Sequence, residues 1–323
     1  MSQTANSIAV LTSGGDAPGM NAAVRAVVRS AINRNLQVYG VKRGYNGLLN
    51  GDVIQMNLRS VSDIINHGGT VLYTARSEEY NTPAGVQKAA DYCRSLGVKG
   101  VVVIGGDGSF RGARDLSGAG IPCVCIPGTI DNDIACSEYT IGFDTAMNTV
   151  LEMVDKIRDT AQSHDRCSVV EVMGRRAGHL ALQCGIAVGA TAIIVPEVET
   201  KLYDVIAKIQ NTQKTGKKHF IIVVAEGVGG VEEMAKEIEA ATGIETRATT
   251  LGHVQRGGNP TVRDRVRATQ LGYSAVHLLH KGIGNRVVGI SKNKVVDYDI
   301  YEALQMKKGL DMDMYKIAND TSI

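Results

Sequence analysis

Residues 127–133 read Pro-Gly-Thr-Ile-Asp-Asn-Asp. Two carboxylates, Asp131 and Asp133, stand two residues apart beside the hydroxyl of Thr129 and a flexible Gly128. An Asp in such a loop can take a proton from a substrate hydroxyl, while its neighbour helps to hold a metal or orients that base. A bare D-x-D is also an ordinary Asx-rich turn. Position and company favour chemistry. The apolar run Ile121–Ile126 reads as a buried parallel strand, so the loop falls past a strand's C-terminal end, where open α/β sheets place their ligands. A loop of similar chemistry, Gly105-Gly106-Asp107-Gly108-Ser109, lies one crossover upstream.

A third loop opens the chain. Ile8–Leu11 is a short apolar strand, Thr12–Gly19 a glycine-rich turn, and Val24, Val27, Val28, Ala31 and Ile32 line one face of a helix. Strand, glycine loop and helix start together present backbone N–H groups to phosphate. The loop matches neither G-x-G-x-x-G with an acidic residue to hold a ribose, as a dinucleotide dehydrogenase needs, nor the P-loop with its lysine. Arg25 and Arg29 sit one turn apart on that helix, as a solvated face or as a phosphate site.

The elements that position these loops alternate along the chain. Strands are expected at 36–41, 98–104, 167–172, 220–225 and 287–290. Helices are expected at 84–96, 111–116, on the face Met147–Ala161, at 202–213, 232–241 and 263–280, with a short helix from Val61 to Ile65 and a single helix near the C-terminus. The pattern predicts an α/β fold of two interleaved Rossmann-like lobes, with mostly parallel sheets and helices on both faces. Lobes of 1–141 plus 254–304 and of 142–253 plus 305–323 are expected.

Composition narrows the classes. The 323 residues suffice for a large core, and a formal charge of +2 gives no basic field for nucleic acid. No apolar run approaches a membrane span of about 20 residues. Met1–Ser7 is polar and lacks a signal-peptide core. The six cysteines form no C-x-x-C pair, and Cys123 and Cys125 share a strand face as buried thiols. A reducing, cytoplasmic compartment is expected.

Arg76, Arg166, Arg175, Arg247, His253 and Arg256 fall in loops or near strand ends, several beside glycines. Each alone is a solvated residue or a salt-bridge partner. Together they suit two polyanionic ligands, because the guanidinium fork matches phosphate oxygens. Glu226, at a strand end, suits sugar hydroxyls. Carboxylates, cations and glycine loops in one chain are the equipment of phosphoryl transfer.

The motifs Thr-Ser-Gly-Gly-Asp-Ala-Pro-Gly-Met-Asn at 12–21, Gly-Gly-Asp-Gly-Ser at 105–109, Pro-Gly-Thr-Ile-Asp-Asn-Asp at 127–133, Met-Gly-Arg at 173–175 and Leu-Gly-His-Val-Gln-Arg-Gly-Gly at 251–258 resemble those of the bacterial 6-phosphofructokinase family, in order and over nearly the whole chain. The resemblance implies transfer of the ATP γ-phosphoryl group to the 1-hydroxyl of fructose 6-phosphate, with Mg²⁺. It implies Asp131 as base, Asp107 as metal ligand with Asp133 nearby, and Thr129 and Arg175 beside the transferring group. It puts Gly15, Arg76, Ser77, Gly106, Gly108 and Ser109 at ATP. Met173, Gly174 and Glu226 would contact the sugar, and Arg166, Arg247, His253 and Arg256 the 6-phosphate. It further implies a homotetramer in which Arg166 and Arg247 come from a neighbouring subunit.

Two glycines bear on the choice of donor, and three positions depart from the family's effector site. Pyrophosphate-dependent relatives carry Asp where this chain has Gly108 and Lys where it has Gly128, so ATP is expected here. A regulatory subunit without activity would be expected to lose Asp131 or Asp107, and both are present. Arg25, Arg29, Arg158, Lys217, Lys218 and His219 match the family's effector site for ADP or phosphoenolpyruvate. Leu58, Thr191 and Thr215 replace an arginine, a metal-holding carboxylate and a lysine there, with Arg59 and Lys214 adjacent. A weakened or altered effector response is therefore expected.

Overall fold

The computed structural model describes residues 6–322. The polar N-terminal stretch noted above lies, but for Asn6 and Ser7, outside them. The elements run β1 (Ser7–Thr12), α1 (Met20–Ile32), β2 (Gln37–Val41), α2 (Tyr45–Asn50), β3 (Val53–Met56), α3 (Pro83–Ser95), β4 (Val98–Gly105), α4 (Asp107–Gly118), β5 (Cys123–Pro127) and α5 (Phe143–Ser163). Then come β6 (Cys167–Val172), α6 (His179–Ala187), β7 (Ala192–Ile194), α7 (Leu202–Gln213), β8 (Phe220–Ala225), α8 (Val231–Thr242) and β9 (Thr246–Thr250). The chain closes with α9 (Val262–His280), β10 (Arg286–Ser291), β11 (Lys294–Asp299), α10 (Ile300–Gln305) and α11 (Met312–Thr321). The fold is α/β, built on parallel sheets with helices on both faces, as the alternation predicts.

The chain divides into two compact units. The first comprises Met1–Thr129, Ile134–Thr145 and Arg256–Lys308. Its sheet has the order β11-β10-β5-β4-β1-β2-β3. The five central strands are parallel, and β3 and β11 add antiparallel edges. Ala9, Leu11, Val101, Val103, Cys123 and Cys125 face a core shared with α2, α3, α4 and α10. Helices α1 and α9 pack on each other and on the sheet strands. Burial on both faces is why β4 and β5 read as near-continuous apolar runs.

The second unit comprises Ile130–Asp133, Ala146–Gln255 and Gly309–Ile323. Its sheet, β7-β8-β6-β9, is wholly parallel. Phe220, Ile222 and Val224 of β8 pack with Val205 and Ile209 of α7 and Ala235 and Ile238 of α8. All six cysteines are buried free thiols. Burial pushes Cys93, Cys123 and Cys167 up to about 12, so they stay protonated at neutral pH.

Three expectations differ from the structure. Residues 61–65 do not form a helix. A single 3₁₀ turn, Arg59–Val61, is started by Asn57 Oδ1, which accepts from the N–H groups of Arg59 and Ser60. It cannot continue because Asp63 takes a left-handed φ of 58°. Helix α4 starts at Asp107 rather than Arg111, since Gly106 O accepts from the N–H groups of Ser109 and Phe110. After β10 the chain makes a hairpin to β11 before it turns helical, and two helices, α10 and α11, follow where one was expected. Lys292 and Asn293 both have positive φ, 47° and 65°, the conformation that joins twisted antiparallel strands.

Candidate active site

In the first unit the glycine loop of residues 13–19 and the β4–α4 turn meet. Ser13 N–H donates to Ile104 O at 2.9 Å, and Thr74 Oγ1 donates to Gly14 O at 2.6 Å. A Cβ on Gly14 would stand 3.3 Å from Ser109 Oγ. Ser109 lies in the first turn of α4, is buried, and its Oγ has no hydrogen-bond partner. An unpaired buried hydroxyl at a helix N-terminus between two glycine loops is fitted to a phosphate oxygen. Tyr45 Oη anchors this turn by donating to Ser109 O at 2.5 Å, and Tyr45 stacks on Tyr80, whose Oη donates to Gly112 O at 2.8 Å.

Asp107, the first residue of α4, receives Arg111 Nε at 3.0 Å and remains partly exposed. Among the described residues no three His, Cys, Asp or Glu side chains cluster as a metal cage. A single carboxylate beside a phosphate cradle matches magnesium, which is commonly held by one or two carboxylates plus substrate phosphates. At Gly108 a Cβ would meet nothing within 4 Å. Arg76 is exposed, and Ser77 Oγ accepts from Tyr80 N–H at 3.3 Å.

Arg256 belongs to this unit. Its Nη1 donates to Asp16 O at 3.1 Å, and a Cβ on Gly15 would come within 2.4 Å of that nitrogen. A side chain at position 15 would therefore push the tip of the Arg256 side chain aside. The sequence grouped Arg256 with Arg166 and Arg247; its observed neighbours are the glycine loop. Thr129 is buried, and its backbone is fixed on both sides. Its N–H donates to Ile141 O at 3.0 Å, and its carbonyl accepts from Thr140 Oγ1 at 2.7 Å.

The second unit holds the acid and the arginine. Asp131 is buried, and its Oδ2 lies 3.6 Å from Nε of the largely exposed Arg175. Asn132, between the two acids, takes a left-handed φ of 52°, which Asn tolerates. Asp133 is half-buried. Arg175 itself has φ 56°, uncommon for a long side chain and a mark of a backbone held by its surroundings. Glu226 holds it: Oε1 accepts from the N–H groups of Gly174 at 3.1 Å and Arg175 at 2.5 Å. Glu226 was expected to meet sugar hydroxyls; one of its oxygens is engaged with the Met-Gly-Arg turn.

Arg166 and Arg247 share one carboxylate. Arg166 Nε pairs with Glu245 Oε2 at 2.8 Å, and Arg247 Nε with Oε1 at 3.0 Å. Hydrogen bonds from Arg166 and then Arg247 hold the Glu245 carboxyl below its ordinary range. His253 is exposed in the 3₁₀ turn Gly252–Arg256, and buried Gln255 beside it accepts from Met173 N–H at 3.1 Å. Glu245 and Gln255 were not singled out from the sequence.

The effector candidates lie apart in the chain. In the first unit, partial burial and then the Arg29 charge lower the Arg25 pKa. In the second, burial and then Arg158 lower the Lys217 pKa, while burial and then Lys217 lower that of Lys208. Arg158, Lys217 and Lys208 thus form a crowded cationic group. Arg158 also donates to Val188 O. Lys218 pairs with Asp165 at 3.6 Å, and His219 is half-buried. Thr191 is buried, with an Oγ1 that has no partner. Leu58 is exposed, and Thr215 Oγ1 donates to Thr212 O.

Residues 7–279 match the family model described as phosphofructokinase. The chain is 56% identical over 316 residues to the ATP-dependent 6-phosphofructokinase of Bacillus cytotoxicus, covering 98% of this chain and 99% of that one. Identity, length and coverage are the same for the Halalkalibacterium halodurans enzyme of that name. Among solved structures, phosphofructokinase from Saccharomyces cerevisiae superposes with a TM-score of 0.88 at 35% identity, over 98% of this chain and 48% of the yeast chain. A pyrophosphate-dependent phosphofructokinase from Marinobacter aquaeolei shares the fold, with a TM-score of 0.84 at 19% identity, over 95% of this chain and 86% of that one.

Proposed function

This chain belongs to the phosphofructokinase family, and we propose that it is a glycolytic kinase. It transfers the γ-phosphoryl group of ATP to the 1-hydroxyl of fructose 6-phosphate, giving fructose 1,6-bisphosphate and ADP. The observation that carries this reading is the buried Asp131 carboxylate with Arg175 Nε 3.6 Å away. It sets a proton acceptor beside a fixed positive charge.

Asp131 accepts the proton of the 1-hydroxyl as that oxygen attacks phosphorus. Arg175 and Thr129 border the transferring group, and the guanidinium offsets charge that develops there. Met173, Gly174 and Glu226 orient the sugar, with Glu226 acting largely through the backbone of Gly174 and Arg175. Arg166, Arg247, His253 and Arg256 bind the 6-phosphate. Gly15, Arg76, Ser77, Gly106, Gly108 and Ser109 hold ATP, an assignment supported by the unpaired Ser109 hydroxyl. Asp107 would hold Mg²⁺, with Asp133 nearby; the ion supplies neutralisation of phosphate charge.

The nucleotide half is assigned to 1–141 plus 254–304, and the sugar-phosphate half to 142–253 plus 305–323. The enzyme works as a homotetramer, in which Arg166 and Arg247 serve a neighbouring subunit's site, and it acts in the cytoplasm. Among the described residues no helix is long and apolar enough to cross a membrane. The cationic group at Arg158, Lys208 and Lys217 supports an anionic effector.

The test is a coupled assay for fructose 1,6-bisphosphate with Mg²⁺ and fructose 6-phosphate, comparing ATP with pyrophosphate. Turnover with ATP alone is expected. Turnover with pyrophosphate alone would overturn the choice of donor, and silence with both would leave a sugar-phosphate-binding protein without activity.

A further inference from the structure

Asp264 stands in the charged run Arg263-Asp264-Arg265 at the start of α9, yet its carboxylate is fully buried. Four donors converge on it. Oδ1 accepts from Gly142 N–H at 2.6 Å and from Tyr139 Oη. Oδ2 accepts from Thr145 N–H at 2.9 Å and from Thr145 Oγ1 at 2.5 Å. All four donors are neutral and come from one segment, 139–145. Burial raises the Asp264 pKa, and these hydrogen bonds oppose the rise.

Only a carboxylate meets this demand. An Asn of the same shape has one acceptor oxygen and would turn its amide N–H₂ towards two of the four donors. The surroundings tighten the arrangement further. Thr145 Oγ1 accepts from Thr261 N–H at 3.0 Å, and Thr261 Oγ1 donates to Asp144 Oδ2 at 2.7 Å. The Arg263 guanidinium sits 4.8 Å from the centre of the Tyr139 ring and 3.7 Å from Asp144 Oδ1.

The segment so clamped is the one that holds the loop ahead of the base. Ile141 N–H donates to Pro127 O at 2.9 Å, Thr129 N–H donates to Ile141 O at 3.0 Å, and Thr140 Oγ1 donates to Thr129 O. Gly128 and Ile141 pair as an isolated parallel bridge. The segment also abuts the start of α1. A Cβ on Gly19 would come within 2.7 Å of Ile141 Cγ2 and 3.4 Å of Asp264 Cβ.

We infer that Asp264 is a positioning residue for phosphoryl transfer. Its carboxylate fixes segment 139–145, which fixes Pro127–Thr129 and so sets where Asp131 begins. It acts without touching substrate. The inference rests on the phosphofructokinase reading above. A displacement of about 1 Å at a reacting group can cost about 10²-fold in rate, so a remote clamp has enough leverage to be read in kcat.

The experiment compares the full-length chain with Thr145→Val, Thr145→Ser, Tyr139→Phe and Asp264→Asn, measuring kcat, both KM values and the melting temperature. Thr145→Val removes the hydroxyl that donates to Asp264 and accepts from Thr261 N–H, and keeps the side-chain shape. It is expected to lower kcat about tenfold with both KM values within about twofold, and Thr145→Ser restores the rate. Asp264→Asn lowers kcat about 10²-fold if it folds; if it does not, Thr145→Val and Tyr139→Phe decide. Full kcat in folded Thr145→Val and Tyr139→Phe would overturn the inference. So would a fall of kcat, affinity and melting temperature together, which marks a role in folding alone. An inactive unmodified chain would instead refute the phosphofructokinase reading, so the two failures are distinct.

Discussion

The main-chain N–H of Arg175 donates to Glu226 Oε1 across 2.5 Å, so a carboxylate after one strand sets the backbone of an arginine after its neighbour. Strands β6 and β8 are paired in register, Val172 beside Ala225, which brings the two loops level. Gly174 and Arg175 both have positive φ, 139° and 56°, and their successive N–H groups converge on the same oxygen. Such a nest binds an anion, here one supplied by the chain itself. Removing it frees the turn that aims the Arg175 side chain. Glu226→Ala is therefore expected to lower kcat/KM for fructose 6-phosphate by about 10–10²-fold, since one hydrogen bond to a charged group is worth about 1.5–3 kcal/mol. Steady-state kinetics check this; an unaltered kcat/KM would show that Arg175 needs no such support.

Asp131 is the group on which the chemistry turns. Asp131→Ser keeps a small polar side chain but no basic one. Its kcat should fall by about 10²–10⁴-fold, the usual worth of a positioned general base. Binding of fructose 6-phosphate, followed by calorimetry, should persist, because the phosphate ligands are untouched. Wild-type turnover in this variant would mean that another group takes the proton.

Much of the scaffold was legible because strands buried on both faces need continuous apolar runs: β4, β5, β6 and β8 read directly. The edge strands β3 and β11 did not. Apart from buried Met56 their residues are exposed or half-buried, so no continuous apolar run marks them. Loops bearing Asp107, Asp131 and Arg175 stood out by composition and by their place after strands. Their supports did not. Asp264 lies in what looks like a solvated charged face, and its partners are 119 to 125 residues away. Gln255 reaches Met173 across 82 residues, and Glu245 reaches Arg166 across 79. Contacts of that separation leave no periodic trace in the chain. The one available signal was local: Glu245 stands two residues before Arg247 at the head of β9.

Gly108 offers a test of nucleotide choice. A Cβ there meets nothing within 4 Å, so an Asp can be accommodated without disturbing the fold. It would lie in the first turn of α4, where a carboxylate stabilises by about 0.3–1 kcal/mol. The same charge would oppose the phosphates of ATP, and juxtaposed like charges cost several kcal/mol. Gly108→Asp should therefore raise KM for ATP at least tenfold while the melting temperature holds or rises slightly. A fall in melting temperature with unchanged KM would place the nucleotide elsewhere. Gly128 is tighter, with Ile104 Cγ2 and Met20 Cε at 3.1 and 3.2 Å from a Cβ, so a lysine there requires those side chains to give way.

The effector response follows from Thr191. Its Oγ1 is buried and unpaired, at the position expected to carry the carboxylate that holds the nucleotide's metal. A hydroxyl brings no negative charge to a divalent ion. Arg158, Lys217 and Lys208 remain crowded in the same unit, the lysines with their pKa values lowered first by burial and then by a neighbouring cation. Bringing in a metal-free anion relieves that repulsion, whereas a magnesium nucleotide arrives with much of its charge already neutralised. Fructose 6-phosphate saturation curves should accordingly show little leftward shift with ADP at micromolar concentration. Thr191→Glu should restore a magnesium-dependent shift by supplying the missing ligand. A large shift by ADP in the unmodified chain would mean that Arg59 and Lys214 bind the nucleotide without the carboxylate.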